Sequence, residues 1–331
     1  MHVLVVGGAG YVGSTTAAHF LAAGHDVTVY DNLSNGHRAA IPDGASFIRG
    51  DIGDGAALDI LFQAGKFDAV AHFAAFIEAG ESMEKPGKYF HNNVVNSHQL
   101  LDAMMRHDVK RLIFSSTAAV YASKGGPLNE DDPIGPSNVY GQTKLMIEQM
   151  MAWYHRQCGL KYAVFRYFNA SGAMVNENGV AIRGEAHQPE THLIPLTLQV
   201  PLGQRNIIKI FGDDYPTQDG TCVRDYIHVE DLASAHVLAL EAVDDRQAMT
   251  YNLGNGLGYS VKQVIDVARE VTGQAIPAET VARRPGDGPM LVASAESVNN
   301  DLGWTPRYSS LNDIVASAWA WHQAHPNGYE D

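Results

Sequence analysis

Tyr140 and Lys144 stand four residues apart in YGQTK, a spacing that puts a phenol and an ammonium on one face of a helix. A phenol is a poor base at neutral pH, but a neighbouring ammonium favours its phenolate, so the pair has the makings of a general base. A second group of polar side chains lies in FSSTAAVYAS, where Ser115, Ser116 and Thr117 end an apolar run. Ala118 and Ala119, which offer no chemistry of their own, follow directly.

A third feature suggests what the base works beside. HVLVVGGAGYVGS places Gly7, Gly10 and Gly13 after a strand-like run and at the mouth of a helical pattern. Such a turn lets the backbone approach a pyrophosphate, whose charge then rests on the helix N-terminus. The next strand-like run ends in VTVYDN, so Asp31 falls where a carboxylate binds the ribose hydroxyls of NAD and repels the extra phosphate of NADP. GDI brings Asp51 to the end of the third run, to meet the adenine, and HFAA at 72–75 puts small residues near the pyrophosphate. Taken in series these positions make a site for NAD, and Lys144 gains a second partner in the nicotinamide ribose.

Residues so far apart in the chain must be gathered by regular elements. Strand-like pieces occur at 2–6, 27–30, 47–49, 69–73, 112–115 and 162–166, and helical patterns lie near 11–23, 56–64, 88–106 and 139–157. That alternation predicts βαβ crossovers and an α/β fold, a Rossmann-type doubly wound parallel sheet. A chain of 331 residues exceeds one core, so residues 1–168 are expected to form the NAD-binding domain and 169–331 a smaller C-terminal α/β lobe for the substrate. The helical pattern at 228–242 is expected to pack back on the first lobe.

Composition narrows the function classes. A net charge of -14 repels nucleic acid and anionic membranes, and the hydrophobic content of 45% fits a globular chain. Cys158 and Cys222 make no disulfide framework, and no segment has the length of a membrane span, so a cytoplasmic address is expected. The fifteen histidines show no H-E-x-x-H or Cys/His cluster, and no metal is expected. In so acidic a protein a diphosphate needs dedicated cations, which Arg224 in VRDY and Arg284 in RRPGD supply from polar loops.

GGAGYVGS, DNLSNG, GESMEKP, SSTAAVY, YGQTKLMIEQ, RYFNASGA, FGDDYPTQDGTCVRDYIHVEDLA, YNLGNG and RRPGDGP resemble the extended short-chain dehydrogenases/reductases, along the whole chain. The closest resemblance is to the branch that epimerises nucleotide sugars. It implies C4 epimerisation of a UDP-hexose, UDP-glucose or UDP-galactose, through a transient 4-keto sugar, with NAD retained and usually a homodimer. By resemblance Tyr140 takes the proton from the sugar 4-hydroxyl, assisted by Thr117, with Lys144 beside it. Cofactor contacts fall on Gly7, Gly10, Tyr11, Val12, Gly13, Asp31, Asn32, Asn35, Asp51, Ile52, Phe73, Ala74, Ala75, Asn92, Ser115, Tyr140, Lys144 and Phe168. Substrate contacts fall on Thr117, Asn169, His192, Leu193, Phe211, Arg224, Tyr226, Arg284, Asp287 and Leu291. Phe211 is expected near the uracil and Asp287 on a ribose hydroxyl.

Three positions depart from that pattern: Thr117 replaces a serine, Ile77 a lysine near the cofactor, and Leu291 a tyrosine at the back of the sugar pocket. The last change predicts room for a 2-acetamido group and hence activity on UDP-N-acetylhexosamines. A UDP-pentose epimerase is a neighbouring reading. A dehydratase or decarboxylase of the same fold is a more distant one, since dehydratases place Asp-Glu where this chain has Ala118 and Ala119.

Overall fold

The computed structural model describes residues 1–122, 124–284 and 287–330, so Ser123, Asp331 and the Pro285–Gly286 pair of the RRPGD motif lie outside the described residues. The first lobe is built from β1 (His2–Val6), α1 (Tyr11–Ala22), β2 (Asp26–Asp31), β3 (Ser46–Arg49), α2 (Gly55–Gly65) and β4 (Ala69–His72). It continues with α3 (Asn96–Arg106), β5 (Arg111–Thr117), α4 (Val139–Cys158) and β6 (Lys161–Tyr167), and returns later through α5 (Val229–Arg246) and β7 (Ala248–Leu253).

Among the described residues these strands form one parallel sheet in the order β7-β6-β5-β4-β1-β2-β3. Successive side chains of a strand face opposite ways. Val3 and Val5 of β1 thus pack with Ala17 and Phe20 of α1 and Leu232 and Ala239 of α5. Leu4 and Val6 pack on the other side with Leu58 of α2, Leu100 and Met104 of α3 and Ile147 of α4. Both faces are covered, which is why the central strands read as unbroken apolar runs. The strand order reverses beside β1, where β2 lies on one side and β4 on the other, and a crevice opens at the carboxyl ends of such strands.

Two features differ from expectation. The pattern at 88–106 is not one regular helix: Pro86–Tyr89 and α3 are joined by a π-helical turn, Phe90–Val95. The sheet also gains β7 beyond α5, so the chain re-enters the first lobe for a strand as well as a helix.

The second lobe has its own core of Ile194, Leu198, Ile208, Ile210, Tyr226, Val264, Ile265, Ile314 and Val315. Its main helices are α6 (Val261–Thr272), started by a Ser260/Gln263 capping box, and α7 (Leu311–Ala324), capped by Ser310. Short pairings supply the rest: 208–211 with 278–281, 223–224 between 259–260 and 290–291, and 226–228 with 169–171. Among the described residues no helix is long and apolar enough to cross a membrane.

Candidate active site

The turn after β1 allows two close backbone approaches. Gly7 has φ +77°, and a Cβ there would lie 2.5 Å from the Ala74 amide nitrogen. A Cβ on Gly13 would lie 2.2 Å from the Gly7 carbonyl oxygen, so β1, the β4 end and α1 meet in backbone contact. Gly10 caps α1 without a side chain, leaving the first amides of the helix facing the crevice. Asp31 closes the opposite wall: its carboxylate accepts from the Ala9 amide at 3.0 Å and the Leu33 amide at 2.8 Å. Burial pushes Asp31 above the ordinary carboxylate range despite those two amides. Asp51 accepts from Asn32 Nδ2 at 2.7 Å and from the Gly53 amide at 2.7 Å, so it organises its own loop as well as facing the cleft.

The cleft at these strand ends has a volume of about 330 Å³ and is lined by every residue expected to touch the cofactor except Lys144. Sequence reasoning missed Tyr30, Phe76, Ser116, Tyr167, Glu185 and His187 in the same wall. It also missed Asn93, which is fully buried in the π-helical turn. The Asn93 amide accepts from Phe76 N at 2.9 Å and donates to Phe76 O at 3.0 Å and Thr143 Oγ at 3.1 Å, tying the wall after β4 to α4. Asn93 stands among polar neighbours in FHNNVVN, so the letters did not single it out, and it is the buried one of the π turn.

Three successive residues of β5 hold three residues one turn apart on α4. The Thr117 hydroxyl neighbours the Tyr140 phenol, the Ser115 carbonyl accepts from Lys144 Nζ at 2.7 Å, and the Ser116 hydroxyl donates to Glu148. Tyr140 faces the cleft, whereas Lys144 is 1% exposed and lies behind the wall, pinned to the strand. Burial pushes the Tyr140 phenol up to about 12, with Thr117 opposing, and pushes the Lys144 ammonium down to about 7, with Glu148 opposing. Glu148 in turn pairs with Arg166 at 2.7 Å, and Arg166 reaches the Tyr121 hydroxyl at 2.9 Å. The start of α4 is fixed by Asn138, which accepts from the Gly141 amide at 2.8 Å, and by Ser82, whose hydroxyl accepts from the Tyr140 amide at 3.1 Å.

The segment between β5 and α4 gives the two alanines a packing role. A Cβ on Gly141 would sit 2.3 Å from the Ala119 carbonyl oxygen, and Ala118 is 2% exposed among Val120, Tyr121, Leu128 and Phe168. No carboxylate fits at Ala118 without breaking that cluster.

A larger cavity of about 810 Å³ adjoins the cleft and is lined by Asn169, His192, Leu193, Phe211, Arg224, Tyr226, Arg284 and Asp287. Thr117 lines the smaller cleft instead, while Asn35, Phe76, Ile77, Asn169, Ala170 and His192 line both. Asp287 lies between two guanidiniums, 3.5 Å from Arg224 and 3.0 Å from Arg284, and Arg284 stacks over Phe211 at 4.8 Å. Lys85, Lys88, Arg205 and Lys209 add cations that the sequence reading did not single out. Leu291 is in neither wall: it pairs with Arg224 along the backbone and packs its side chain on the cluster of Ala118 and Phe168. His192 is not free, since its Nδ1 lies 2.7 Å from Glu185 and 2.9 Å from Glu190.

The profile of the NAD dependent epimerase/dehydratase family matches residues 3–254. A UDP-glucose 4-epimerase of Halalkalibacterium halodurans is 52% identical over 331 residues, covering 99% of this chain and 98% of that protein. A crystal structure of a UDP-glucose 4-epimerase superposes with a TM-score of 0.96 at 50% identity, covering 100% of each chain. The enzyme of Bifidobacterium longum, solved in complex with NAD+ and UDP, superposes with a TM-score of 0.93 at 36% identity, covering 99% of this chain and 100% of that one.

Proposed function

The chain belongs to the NAD dependent epimerase/dehydratase family, and we propose how its residues perform the reaction of its relatives, NAD-dependent inversion at C4 of a UDP-hexose. The observation that carries the assignment is the placement of Thr117 and Tyr140 together in the glycine-turn cleft, beside the six residues that this cleft shares with the larger cavity. A sugar whose diphosphate is held in the large cavity thereby presents its ring to Tyr140.

The residues fit NAD. Gly7 and Gly13 let the β1 turn, the β4 end and α1 close up beneath the pyrophosphate path, and the Asp31 carboxylate lies where a ribose diol can donate to it. Bound NAD supplies a hydride acceptor that can give the hydride back. Tyr140 takes the proton of the sugar 4-hydroxyl and later returns it, with Thr117 as the hydrogen-bonding bridge. A phenol buried up to about 12 is no base at neutral pH, so the positive charge of Lys144, 29 residues along from its Ser115 anchor, has to be present when substrate is bound. Arg224 and Arg284 grip the diphosphate, Phe211 lies against the uracil, and Asp287 binds a ribose hydroxyl while spacing the two guanidiniums. Ala118 and Ala119 leave no acid beside the keto sugar, which favours its return over elimination.

The lobe division belongs to the same proposal: residues 1–168 with α5 and β7 hold the cofactor, and most of 169–331 holds the UDP-sugar. So does a homodimer, supported by Trp153 of α4 and Val95 before α3, both exposed, at 59% and 45%. A cytoplasmic address is supported by two unpaired cysteines, Cys158 and Cys222.

Incubation of the purified protein with UDP-galactose and no added NAD tests the reading by chromatography. UDP-glucose is the expected product; accumulation of a 4-keto sugar, or no conversion even with NAD supplied, overturns it.

A further inference from the structure

Four side chains with metal-binding chemistry converge on the wall that the two cavities share. Glu185, His187, Glu190 and His192 belong to one short stretch, GEAHQPETH, running from the strand Ala181–Arg183 to the helix Leu193–Leu198. One donor atom from each lies within 4.8 Å of the others. Glu185 Oε1 is 3.0 Å from His187 Nδ1 and 2.7 Å from His192 Nδ1. Glu190 completes the group, with Oε1 2.9 Å from His192 Nδ1 and Oε2 3.9 Å from His187 Nδ1. Both carboxylates are buried, at 5% and 8% side-chain exposure, and the imidazoles form the cleft side of the group, at 19% and 39%.

We propose that these four residues bind one divalent transition-metal ion, zinc in particular. Two carboxylates and two neutral imidazoles carry the charge that a dication cancels. Bonds of about 2.0–2.2 Å to such an ion put neighbouring donor atoms roughly 3 to 3.5 Å apart, and the observed separations bracket that range. Two imidazole nitrogens disfavour magnesium and calcium, which take oxygen shells, and the absence of thiolate from the group suits zinc, nickel or cobalt over softer ions.

The group is also held from behind, as ligand sets are. The Thr191 and His192 amides donate to Glu190 Oε1 at 2.7 and 2.8 Å, and Trp321 Nε1 donates to the Glu185 carbonyl at 3.0 Å. A bound ion would pin the segment leading to Leu193 and so set the shape of the wall where cofactor cleft and substrate cavity join. It would stand in place of the protons that otherwise join these rings to the carboxylates.

The test uses the intact protein, freed of metal by a chelator and then exchanged into metal-free buffer. Equilibrium dialysis against zinc chloride, with bound metal measured by atomic emission, is expected to give one zinc per chain. His187→Ala and Glu190→Gln are each expected to weaken binding by at least about tenfold. Cobalt chloride supplies a readout that needs no variant to fold: the wild-type protein should show the intense visible absorption of four- or five-coordinate cobalt, and magnesium chloride should not displace it. Less than one zinc per chain at saturation, unchanged affinity in the His187→Ala/Glu190→Gln protein, or the weak spectrum of hydrated cobalt overturns the proposal and leaves the group as ion pairs.

Discussion

Replacing Gly13 by alanine puts the close backbone approach beneath the cofactor cleft under direct strain. The added Cβ would lie 2.2 Å from the Gly7 oxygen and 3.0 Å from the Gly8 Cα. Carbon and oxygen at van der Waals contact need roughly 3.4 Å or more, so α1 must retreat from β1 by about 1 Å. Neither side yields freely. The Gly7 amide donates to the Tyr30 carbonyl at 2.9 Å, the Gly10 amide donates back to Gly7 O at 3.2 Å, and Ala17 and Phe20 lock α1 on the sheet at 0% exposure. Overpacking costs typically about 1–3 kcal/mol, and a clash between two backbone segments belongs at the upper end, about 3 kcal/mol. For a chain of this size that corresponds to a thermal midpoint lower by roughly 4 °C. Gly10→Ala is the comparison: its Cβ would meet only Gly7 O, at 3.4 Å, and its φ of -83° suits any residue. Scanning calorimetry and the NAD retained per purified chain separate the two. Both variants should lose NAD, Gly13→Ala because α1 and its first amides are pushed away from β1 and Gly10→Ala because its methyl adds bulk at the turn, but only Gly13→Ala should lose more than about 1 kcal/mol of stability. A Gly13→Ala protein with an unshifted midpoint and a full complement of NAD would refute the reasoning.

Tyr140→Phe should lower the rate of UDP-galactose conversion by about three orders of magnitude while the fold and retained NAD stay intact; activity near wild type removes Tyr140 from its role. Burial holds Lys144 down to about 7 in the cofactor-free protein, against an unfolded value near 10.4. The unfolded chain then binds more protons across about pH 7 to 10, so that lysine makes stability rise with pH, and the midpoint of Lys144→Met relative to wild type should be highest at pH 7 and fall towards pH 10. A pH-independent difference counts against the buried ammonium. Arg166→Met strands the Glu148 carboxylate, which is 8% exposed, and should cost about 3–5 kcal/mol, much of it recovered in Arg166→Met/Glu148→Met. Light scattering should give about twice the chain mass of 35.8 kDa, and Trp153→Glu should halve it if the exposed α4 face is the dimer contact.

What could be read from the letters follows from where the information sits. β1 to β6 are apolar runs flanked by helical periodicity, and a parallel sheet covered on both faces leaves that trace in any sequence. β7 leaves a fainter one, because AMTYNL carries Asn252, a polar side chain buried at 0% only because Tyr121 and Leu128 supply its partners from far along the chain. That the glycine turn, Asp31, Thr117 and Tyr140 line one cleft was legible because it depends on position relative to strand ends. The depth of Lys144 was not, since i,i+4 spacing fixes a shared face and says nothing of the Ser115 carbonyl that draws the ammonium inward. Leu291 was read by resemblance, and its packing beside Phe168 and Ala118 depends on chain segments far apart that no local pattern records. The Glu185 to His192 group was present within eight letters, but its spacing matches no regular helix, and only the loop's fold turns the four side chains together.

The late return of β7 to the sheet sets an order on biosynthesis. β6 ends at Tyr167 and its neighbour does not begin until Ala248, with much of the substrate lobe translated in between. Until Leu253 has left the ribosome, β6 presents a raw hydrogen-bonding edge, open to pairing with another nascent chain. The cofactor lobe is therefore finished by a segment made between the two stretches of the lobe it serves. A gene cut at codon 168 would encode an unfinished sheet, and exchanging substrate lobes between relatives takes three crossovers, one after β6 and one on each side of the α5–β7 return, rather than a single junction.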